Sequence, residues 1–306
     1  MLDEIKDFFL SNKKEKVNEV YQLPSRYNSE VFRVNTGVQD YIIKRYINKT
    51  DSKDRIQREV CFLSTFSNNL AIRIPRLYFY NNSKSLLCES FLQGTKTKSS
   101  PHQIYAILEF IKDINSTYDN KSYQLLAKDA IVKNGDLYDN LRLRSEKWLN
   151  NKSEAMVKCA SEIMVLVKNK KFQKKIDSFF QKKSANLLSP SDIGPHNMLF
   201  NSSFVFFDFE YAGIDSNIKL GLDLVTQPDI DFFKNSNSNI FNYFREVLGF
   251  SVDEIPRELI GLFKLKWLLI QMQKYLNSQV NDDFRFSQGL GVLDKLEEAL
   301  SLCYRS

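Results

Sequence analysis

A chain of 306 residues with 43% hydrophobic side chains is long enough for about two domains, each with a buried core. Its formal net charge of +6 at pH 7 is mild and spread along the sequence. This argues against a dedicated nucleic-acid-binding protein and suits a protein that binds an anionic nucleotide. The four cysteines lie far apart and the two histidines are isolated, so the sequence predicts neither a disulfide framework nor a zinc site.

The opening residues, MLDEIKDFFL, place acidic residues among the apolar ones, a pattern that predicts no signal peptide. No apolar run approaches the roughly 20 residues that a membrane-spanning helix needs. We therefore expect a soluble, cytoplasmic protein with neither a membrane nor a nucleic-acid partner. Nothing in the sequence indicates its oligomeric state.

The N-terminal part predicts an antiparallel sheet with one helix inserted. Apolar residues at helical spacing first predict a short helix over residues 2–12. A second helix begins with a cap at Asp51 or Ser52, and its apolar face includes Ile56 and Leu63. The five predicted strands cover 20–23, 30–34, 40–46, 76–80 and 85–89, and the first three are rich in β-branched and aromatic residues.

Lys44 stands out because it lies in an otherwise apolar strand, within the sequence YIIKRY. A lysine that faces solvent is the common alternative in a strand. A lysine on the third strand also neutralises nucleotide phosphates in kinases, where it pairs with a glutamate of the next helix. Glu59 lies in the middle of the helix that follows, where this pairing requires it.

From residue 94 onward the pattern is mainly helical. Ser100 and Pro101 supply a cap and a first-turn proline for one helix. The basic run 168–175 contains an aromatic residue, but its helical spacing favours a solvated helix face over a nucleic-acid patch. The other predicted helical stretches cover 137–150, 154–169, 171–182 and 229–303.

The stretch 189–210, SPSDIGPHNMLFNSSFVFFDFE, interrupts this helical pattern. It predicts a β-hairpin of 198–200 against 204–207, with Asp192 and Asn197 before the first strand and Asp208 after the second. Two carboxylates and an amide oxygen are hard oxygen donors of the kind that Mg²⁺ prefers. The alternative is that Asp and Asn serve only as turn formers in a loop.

The pattern Asp-x-x-x-x-Asn, a hairpin and then Asp-Phe-Glu-Tyr resembles the catalytic core of the aminoglycoside phosphotransferase and choline kinase-like family, small-molecule relatives of the protein kinases. In that family a histidine usually opens the motif, whereas Pro190 and Ser191 precede Asp192 here. The resemblance implies an α+β, two-lobed protein-kinase-like fold. Residues 1–93 would form the N-lobe with its five-stranded sheet, and residues 94–306 a helical C-lobe with the catalytic hairpin and the acceptor site.

The resemblance also implies a role for each residue of the core. Asp192 is expected to orient the acceptor hydroxyl and accept its proton, and Asn197 and Asp208 to hold Mg²⁺ on the phosphates of ATP. Lys44, steadied by Glu59, is expected to neutralise phosphate charge. These are the parts that phosphoryl transfer requires of a protein.

Two loops of the N-lobe are implied to surround the nucleotide. Backbone groups near Ser90 and Phe91 would meet the edge of adenine, as in a kinase hinge. Residues 25–29, SRYNS, lie where kinases cover the phosphates, but they contain no glycine. This loop therefore differs from the Gly-rich loop of protein kinases.

Acidic and aromatic residues continue beyond the core. Glu210, Tyr211 and Asp215 are candidate ligands of the acceptor or of a second metal ion. Asp223 matches the next acidic position of the family and is expected to support the catalytic loop by accepting backbone N–H bonds. Because no activation segment separates Asp208 from Asp223, the acceptor is expected to be a small molecule and not a protein.

The sequence thus predicts a transferase of the small-molecule kinase class that moves the γ-phosphoryl group of Mg-ATP to a hydroxyl group. The acceptor is not identified, although a sugar, an aminoglycoside or an amino alcohol fits. The alternative hypothesis is a catalytically silent kinase-like protein that binds nucleotide or acts as a scaffold. Pro190 and the glycine-free loop motivate this alternative.

Overall fold

The computed structural model describes residues 1–24, 28–47, 51–69, 71–117, 123–133, 135–150, 153–276 and 294–304. Most of the predicted phosphate loop, at 25–27, lies outside these residues. The described chain has a five-stranded antiparallel sheet near its N-terminus and mainly helices toward its C-terminus, which confirms the predicted α+β fold class.

The N-terminal sheet has the strand order β1-β2-β3-β5-β4, and each neighbouring pair is antiparallel. Helix α1 (Leu2–Asn12) precedes the sheet, and α2 (Ser52–Phe66) connects its third and fourth strands. The strands are β1 (Glu19–Leu23), β2 (Ser29–Asn35), β3 (Asp40–Tyr46), β4 (Leu77–Asn81) and β5 (Leu86–Ser90). The predicted β4 and β5 therefore begin and end one residue too early.

The pleat of the sheet separates an apolar face from a charged one. Phe32 and Ile43 lie on the apolar face and pack in one core with Phe9 of α1. Because side chains alternate between faces, Lys44 and Glu89 lie on the other face. Lys44 is two residues from Ile42, which is the register partner of Glu89.

The remaining elements follow in chain order. The helices are α3 (Pro101–Thr117), α4 (Asp136–Glu146), α5 (Glu154–Lys168), α6 (Lys170–Lys183), α7 (Asn217–Thr226), α8 (Phe232–Asn235), α9 (Ser238–Leu248) and α10 (Arg257–Leu276). Residues 294–304 are also helical. The strands are β6 (Asn186–Ser189), β7 (Met198–Asn201), β8 (Ser203–Phe206) and β9 (Gly213–Ser216). Strands β7 and β8 form the expected hairpin, whereas β6, β9 and α7 were not predicted.

The chain divides into two compact units. The first contains residues 1–98, 109–128 and 188–214, so it combines the N-terminal sheet with the β7–β8 hairpin. The second contains residues 99–108, 129–187 and 215–306. This grouping differs from the division into 1–93 and 94–306, which stays a prediction. None of the helices in the described part of the chain has both the length and the apolar composition of a membrane span.

Candidate active site

Lys44 is buried on β3 and faces three carboxylates. Its ammonium nitrogen lies 2.6 Å from Glu59 Oε1, 3.3 Å from Glu89 Oε1 and 3.4 Å from Asp208 Oδ1. Only 5% of the residue is exposed, so the alternative of a solvent-facing strand lysine does not hold. The structure thus brings together three of the residues that the sequence analysis singled out, and it adds Glu89.

The charges of this cluster shift the pKa values of its members. Burial alone would lower the pKa of Lys44, but Glu59, Glu89 and Asp208 outweigh it and hold the pKa well above its usual value. Burial raises the pKa of Glu89 to about 8, and the attraction of Lys44 offsets only part of this effect. The pKa of Glu89 is thus well above its usual value, and Lys44 stays charged.

Glu59 connects α2 to the segment that contains Asp208. Besides the ammonium of Lys44, its carboxylate accepts the hydroxyl of Tyr46 and the backbone N–H of Phe209, the latter at 3.2 Å. The side chain has no exposed surface. A buried carboxylate needs such partners because its desolvation is costly.

Asn197 and Asp208 lie at the same end of the hairpin. Met198 pairs with Phe206 in the β7–β8 ladder, and the carbonyl of Asn197 then accepts the N–H of Phe207 at 3.1 Å. Asp208 is the next residue, and its φ of +71° turns the chain away from the strand. The predicted metal ligands therefore come from two adjacent chain segments.

Asp192 contacts Asn197 and also His196, a residue that the sequence analysis did not identify. The side-chain amide of Asn197 donates to the backbone carbonyl of Asp192 at 2.8 Å. His196 Nε2 lies 3.1 Å from Asp192 Oδ2. The spacing of four residues between Asp192 and His196 was the available signal, but it was not used. The histidine that usually precedes this aspartate in the resembled family is absent, and a histidine on its C-terminal side contacts the carboxylate instead.

The donor set fits a magnesium ion by its chemistry. The carboxylate of Asp208 is one-third exposed, at 33% of its side-chain surface, and Asn197 supplies an amide oxygen. In the described residues no three His, Cys, Asp or Glu side chains form a metal-binding group. A metal ion here would therefore depend on phosphate oxygens and water for its other ligands, as Mg²⁺ in nucleotide sites commonly does.

Glu210 and Tyr211 are held by residues that the sequence did not identify. Arg55 of α2 forms an ion pair with Glu210 at 2.7 Å and bonds the hydroxyl of Tyr211 at 2.6 Å. Asn28 donates to the same two groups at 2.9 and 2.8 Å. The pKa of Glu210 is raised to about 7, first by burial and then by the charge of Asp208, while Arg55 opposes the shift. Their roles toward an acceptor or a second metal stay predictions.

Asp215 and Asp223 belong to the second unit and pair with buried lysines. Asp215 accepts the N–H of Ile131 and of Ser216, each at 2.9 Å, and pairs with Lys219 at 2.6 Å. Asp223 lies in α7, where its carboxylate contacts Lys219 at 3.2 Å and also Lys266. These contacts stabilise the charged core of this unit. The expected roles of Asp215 in acceptor binding and of Asp223 in supporting the catalytic loop stay predictions.

Ser90 and Phe91 lie at the C-terminal end of β5, where a hinge was predicted. The N–H of Ser90 donates to the carbonyl of Arg76, the residue before β4, at 2.9 Å, so this N–H already has a partner in the protein. The guanidinium of Arg33 lies 4.3 Å from the ring centroid of Phe91. A cavity of ≈ 410 Å³ is bordered by Ser90, Phe91 and Gln93 and by the turn between β2 and β3.

Comparisons with known proteins find similarity in structure. No protein-family model and no curated protein sequence matches the chain. The streptomycin–ATP–APH(2")-IIa ternary complex shares 15% identity over 99% of this chain and 98% of its own, with a TM-score of 0.67. Spectinomycin phosphotransferase APH(9)-Ia, in complex with ADP and spectinomycin, shares 12% identity over 99% of this chain and 98% of its own, with a TM-score of 0.62. Choline kinase LicA from Streptococcus pneumoniae shares 14% over 98% of both chains, with a TM-score of 0.64.

The chain has the fold of these small-molecule kinases. The likeness covers nearly the whole length of each chain, and it confirms the α+β, kinase-like fold class that the sequence predicted. At these identities the likeness concerns the fold, and the activity has to be argued from the site itself.

Proposed function

We propose that this protein is a small-molecule kinase that transfers the γ-phosphoryl group of ATP to a hydroxyl group of its acceptor. The observation that carries the proposal is the contact of the Lys44 ammonium with both Glu59 and Asp208, at 2.6 and 3.4 Å. A buried lysine beside a partly exposed carboxylate combines a cation for phosphate oxygens with a ligand for a metal ion. Phosphoryl transfer depends mainly on such positioning and electrostatic stabilisation.

Each residue of the core has one proposed task. Lys44 neutralises phosphate oxygens, and Glu59 fixes its ammonium in place. Asn197 and Asp208 hold Mg²⁺, which when bound neutralises the phosphate charge. Asp192 orients the acceptor hydroxyl and takes its proton as the hydroxyl oxygen bonds to the γ-phosphorus and the bond from that phosphorus to the bridging oxygen of ADP breaks. The contact of His196 with the Asp192 carboxylate restricts the orientation of this base.

The acceptor is proposed to be a polyhydroxyl or amino-alcohol compound. Two of the similar structures are named for phosphotransferases and contain streptomycin or spectinomycin, and a third is named as a choline kinase. The buried acids Glu210 and Asp215 already bind Arg55 and Lys219 within their own units. We therefore assign neither of them as the principal ligand of a cationic acceptor.

A panel assay tests this proposal directly. ADP formation is measured with Mg-ATP and a series of sugars, aminoglycosides, amino alcohols and choline, and the phosphorylated product is identified by mass spectrometry. The expected result is ADP formation that depends on one class of acceptor and is lost in Asp192→Asn. Asp54→Asn is the matched control, because Asp54 is an exposed carboxylate on α2 whose only described ion pair, to Arg58, is at 4.0 Å.

The outcomes also separate the two functional hypotheses. Binding of Mg-ATP without any acceptor-dependent turnover would favour the catalytically silent, nucleotide-binding alternative. Failure to bind ATP or GTP in the presence of Mg²⁺ would reject the kinase and the silent nucleotide-binding protein, and would leave only the scaffold.

A further inference from the structure

One side of α2 contacts the segment 208–211 through three side chains. Arg55, Glu59 and Phe62 lie at positions i, i+4 and i+7 of the helix, so they share one face. Phe62 stacks on the ring of Phe209 with centroids 4.2 Å apart, and Glu59 accepts the N–H of the same residue at 3.2 Å. Arg55 contacts the two residues that follow.

The guanidinium of Arg55 bonds three side chains at once. One terminal nitrogen lies 2.7 Å from the carboxylate of Glu210 and 2.6 Å from the hydroxyl of Tyr211, and the other lies 3.1 Å from Asp51. The guanidinium carbon is also 4.8 Å from the centroid of the Tyr211 ring. Only 6% of Arg55 is exposed. The rigid fork of an arginine fixes such partners in a way that a lysine does not.

Asn28 brings a third element to the same two groups. It precedes the first residue of β2, and its side-chain amide donates to Glu210 Oε1 at 2.9 Å and to the Tyr211 hydroxyl at 2.8 Å. Glu210 Oε1 therefore accepts from both α2 and the start of β2. These contacts join residues that are more than 150 positions apart in sequence, as the separations of 155 and 182 show.

The backbone of the contacted segment needs this support. Asp208 has a φ of +71°, a left-handed conformation that a non-glycine residue keeps only where its surroundings fix it. Glu59 and Phe62 contact Phe209, the residue after Asp208. Arg55 and Asn28 bond the next two residues, Glu210 and Tyr211. The four contacts together fix the direction of the chain as it leaves Asp208.

We propose that Arg55 and Asn28 are positioning residues that hold Asp208 in the orientation needed to bind a metal–nucleotide complex. They act through Glu210 and Tyr211, to which both side chains are bonded. The inference rests on the proposed kinase function for its ligand, while the positioning itself is a property of the protein alone. Mutation of a residue that orients a metal ligand typically lowers metal affinity or activity by about 10–100-fold.

The first experiment compares nucleotide binding with and without Mg²⁺ by isothermal titration calorimetry. Arg55→Met and Asn28→Ala are expected to raise the Mg²⁺ concentration needed for tight ATP binding by about tenfold or more, with the smaller effect in Asn28→Ala. ATP binding in EDTA should be unchanged. Arg58→Met is the matched control, because Arg58 lies on the same helix but donates to the Leu126 carbonyl.

Two further variants separate a loss of folding from a loss of positioning. Arg55→Met leaves the Glu210 carboxylate buried without its cation, which destabilises the fold, so Arg55→Met/Glu210→Gln removes the charge as well. Arg55→Lys keeps the positive charge but loses the fork. Both are expected to fold and to retain the Mg²⁺ defect, whereas a role limited to stability would be rescued by both. Because Glu210 is itself a candidate metal ligand, Glu210→Gln alone is measured as well, and the double variant is expected to need more Mg²⁺ than this single variant does.

The second experiment needs no ligand. Hydrogen–deuterium exchange of peptides covering 208–211 should become faster in Arg55→Met and in Asn28→Ala, but not in Arg58→Met. Unchanged exchange would overturn the positioning role, whatever the nucleotide does. Faster exchange with an unchanged Mg²⁺ requirement would overturn its link to the metal–nucleotide complex. If the wild type binds no nucleotide at all, the proposed function fails and the link fails with it, while the exchange data still decide the positioning role.

Discussion

The carboxylate of Glu59 accepts the backbone N–H of Phe209 at 3.2 Å, and the same side chain pairs with Lys44 at 2.6 Å. Phe209 directly follows Asp208, so one glutamate of α2 ties the lysine of β3 to the proposed metal ligand. Any displacement of α2 would therefore change both the cation and the carboxylate that the proposed reaction uses. The stability of this small cluster and the proposed activity should respond together to its mutation.

Replacement of Lys44 tests the cation. Lys44→Met should lower kcat by about 10²–10³-fold, since it removes a charge aimed at the phosphates. It should also destabilise the protein by about 3–5 kcal/mol, because Glu59 and Asp208 lose their shared partner. Urea unfolding and steady-state kinetics check both effects, with exposed Lys84 replaced by Met as the control. Unchanged kinetics in a folded Lys44→Met variant would contradict the proposed role.

Mutation of Asp192 and mutation of Asp208 should reduce activity for different reasons. Asp192→Asn is expected to reduce transfer by about 10²–10⁴-fold, as loss of a general base does, while leaving the affinity for Mg-ATP unchanged. Asp208→Asn is expected to weaken Mg-ATP binding itself, because it removes a charged metal ligand. Calorimetric titration with Mg-ATP, compared with kcat for each variant, separates the two. A variant Asp192→Asn that no longer binds nucleotide would contradict this division of roles.

The sheet and the hairpin could be predicted because their signals are local. Strands β1 to β5 are short segments between turn residues, and the first four contain β-branched or aromatic side chains. The order of Lys44, Glu59, Asp192, Asn197 and Asp208 follows a motif. Helix α7 was missed because all ten of its residues are buried. Its polar residues Lys219 and Asp223 pair with each other inside the protein, so the helix lacks the solvated face that marks a surface helix.

Arg55 and Asn28 were missed for a different reason. Arg55 occupies a helix position that is typical of a solvated charge, and the sequence contains nothing local that indicates its burial. Its partner Glu210 is 155 residues away, and only the fold brings them together. Asp51, predicted as a cap of α2, occupies the cap position but makes no capping bond; it pairs with Arg55 and with Lys128 at 3.1 and 3.0 Å.

Glu89 should make stability depend on pH. Its pKa is raised from 4.5 to about 8, so between these values the folded protein holds a proton that the unfolded chain has lost. The free energy of unfolding should therefore fall as pH rises through this window, by at most about 1.4 kcal/mol per unit for this group. Below 4.5 and above 8 the group adds no further slope.

The comparison of wild type with Glu89→Gln isolates this contribution. Urea unfolding is measured from pH 5 to pH 9 for both proteins, and the difference in free energy is plotted against pH. Glu89→Gln should gain stability relative to the wild type as pH rises toward 8, because the neutral amide has no charge to desolvate. A difference that does not vary with pH would show that Glu89 keeps an ordinary pKa.

Gly213 should tolerate no side chain. It begins β9, where the neighbouring Ile214 donates to the Leu125 carbonyl at 2.8 Å and accepts from Ala127 N–H at 2.9 Å. A Cβ at Gly213 would lie 2.2 Å from the backbone nitrogen of Ala127, and a backbone atom cannot move aside as a flexible side chain does. Gly213→Ala should therefore cost about 1–3 kcal/mol or more, the range for forced overpacking. Thermal unfolding compares this loss of stability with that of Gly135→Ala, where a Cβ meets nothing within 4 Å. Because Gly135 has a positive φ of +105°, the control variant suffers backbone strain but no steric clash. An equal or smaller loss in Gly213→Ala would contradict the close approach.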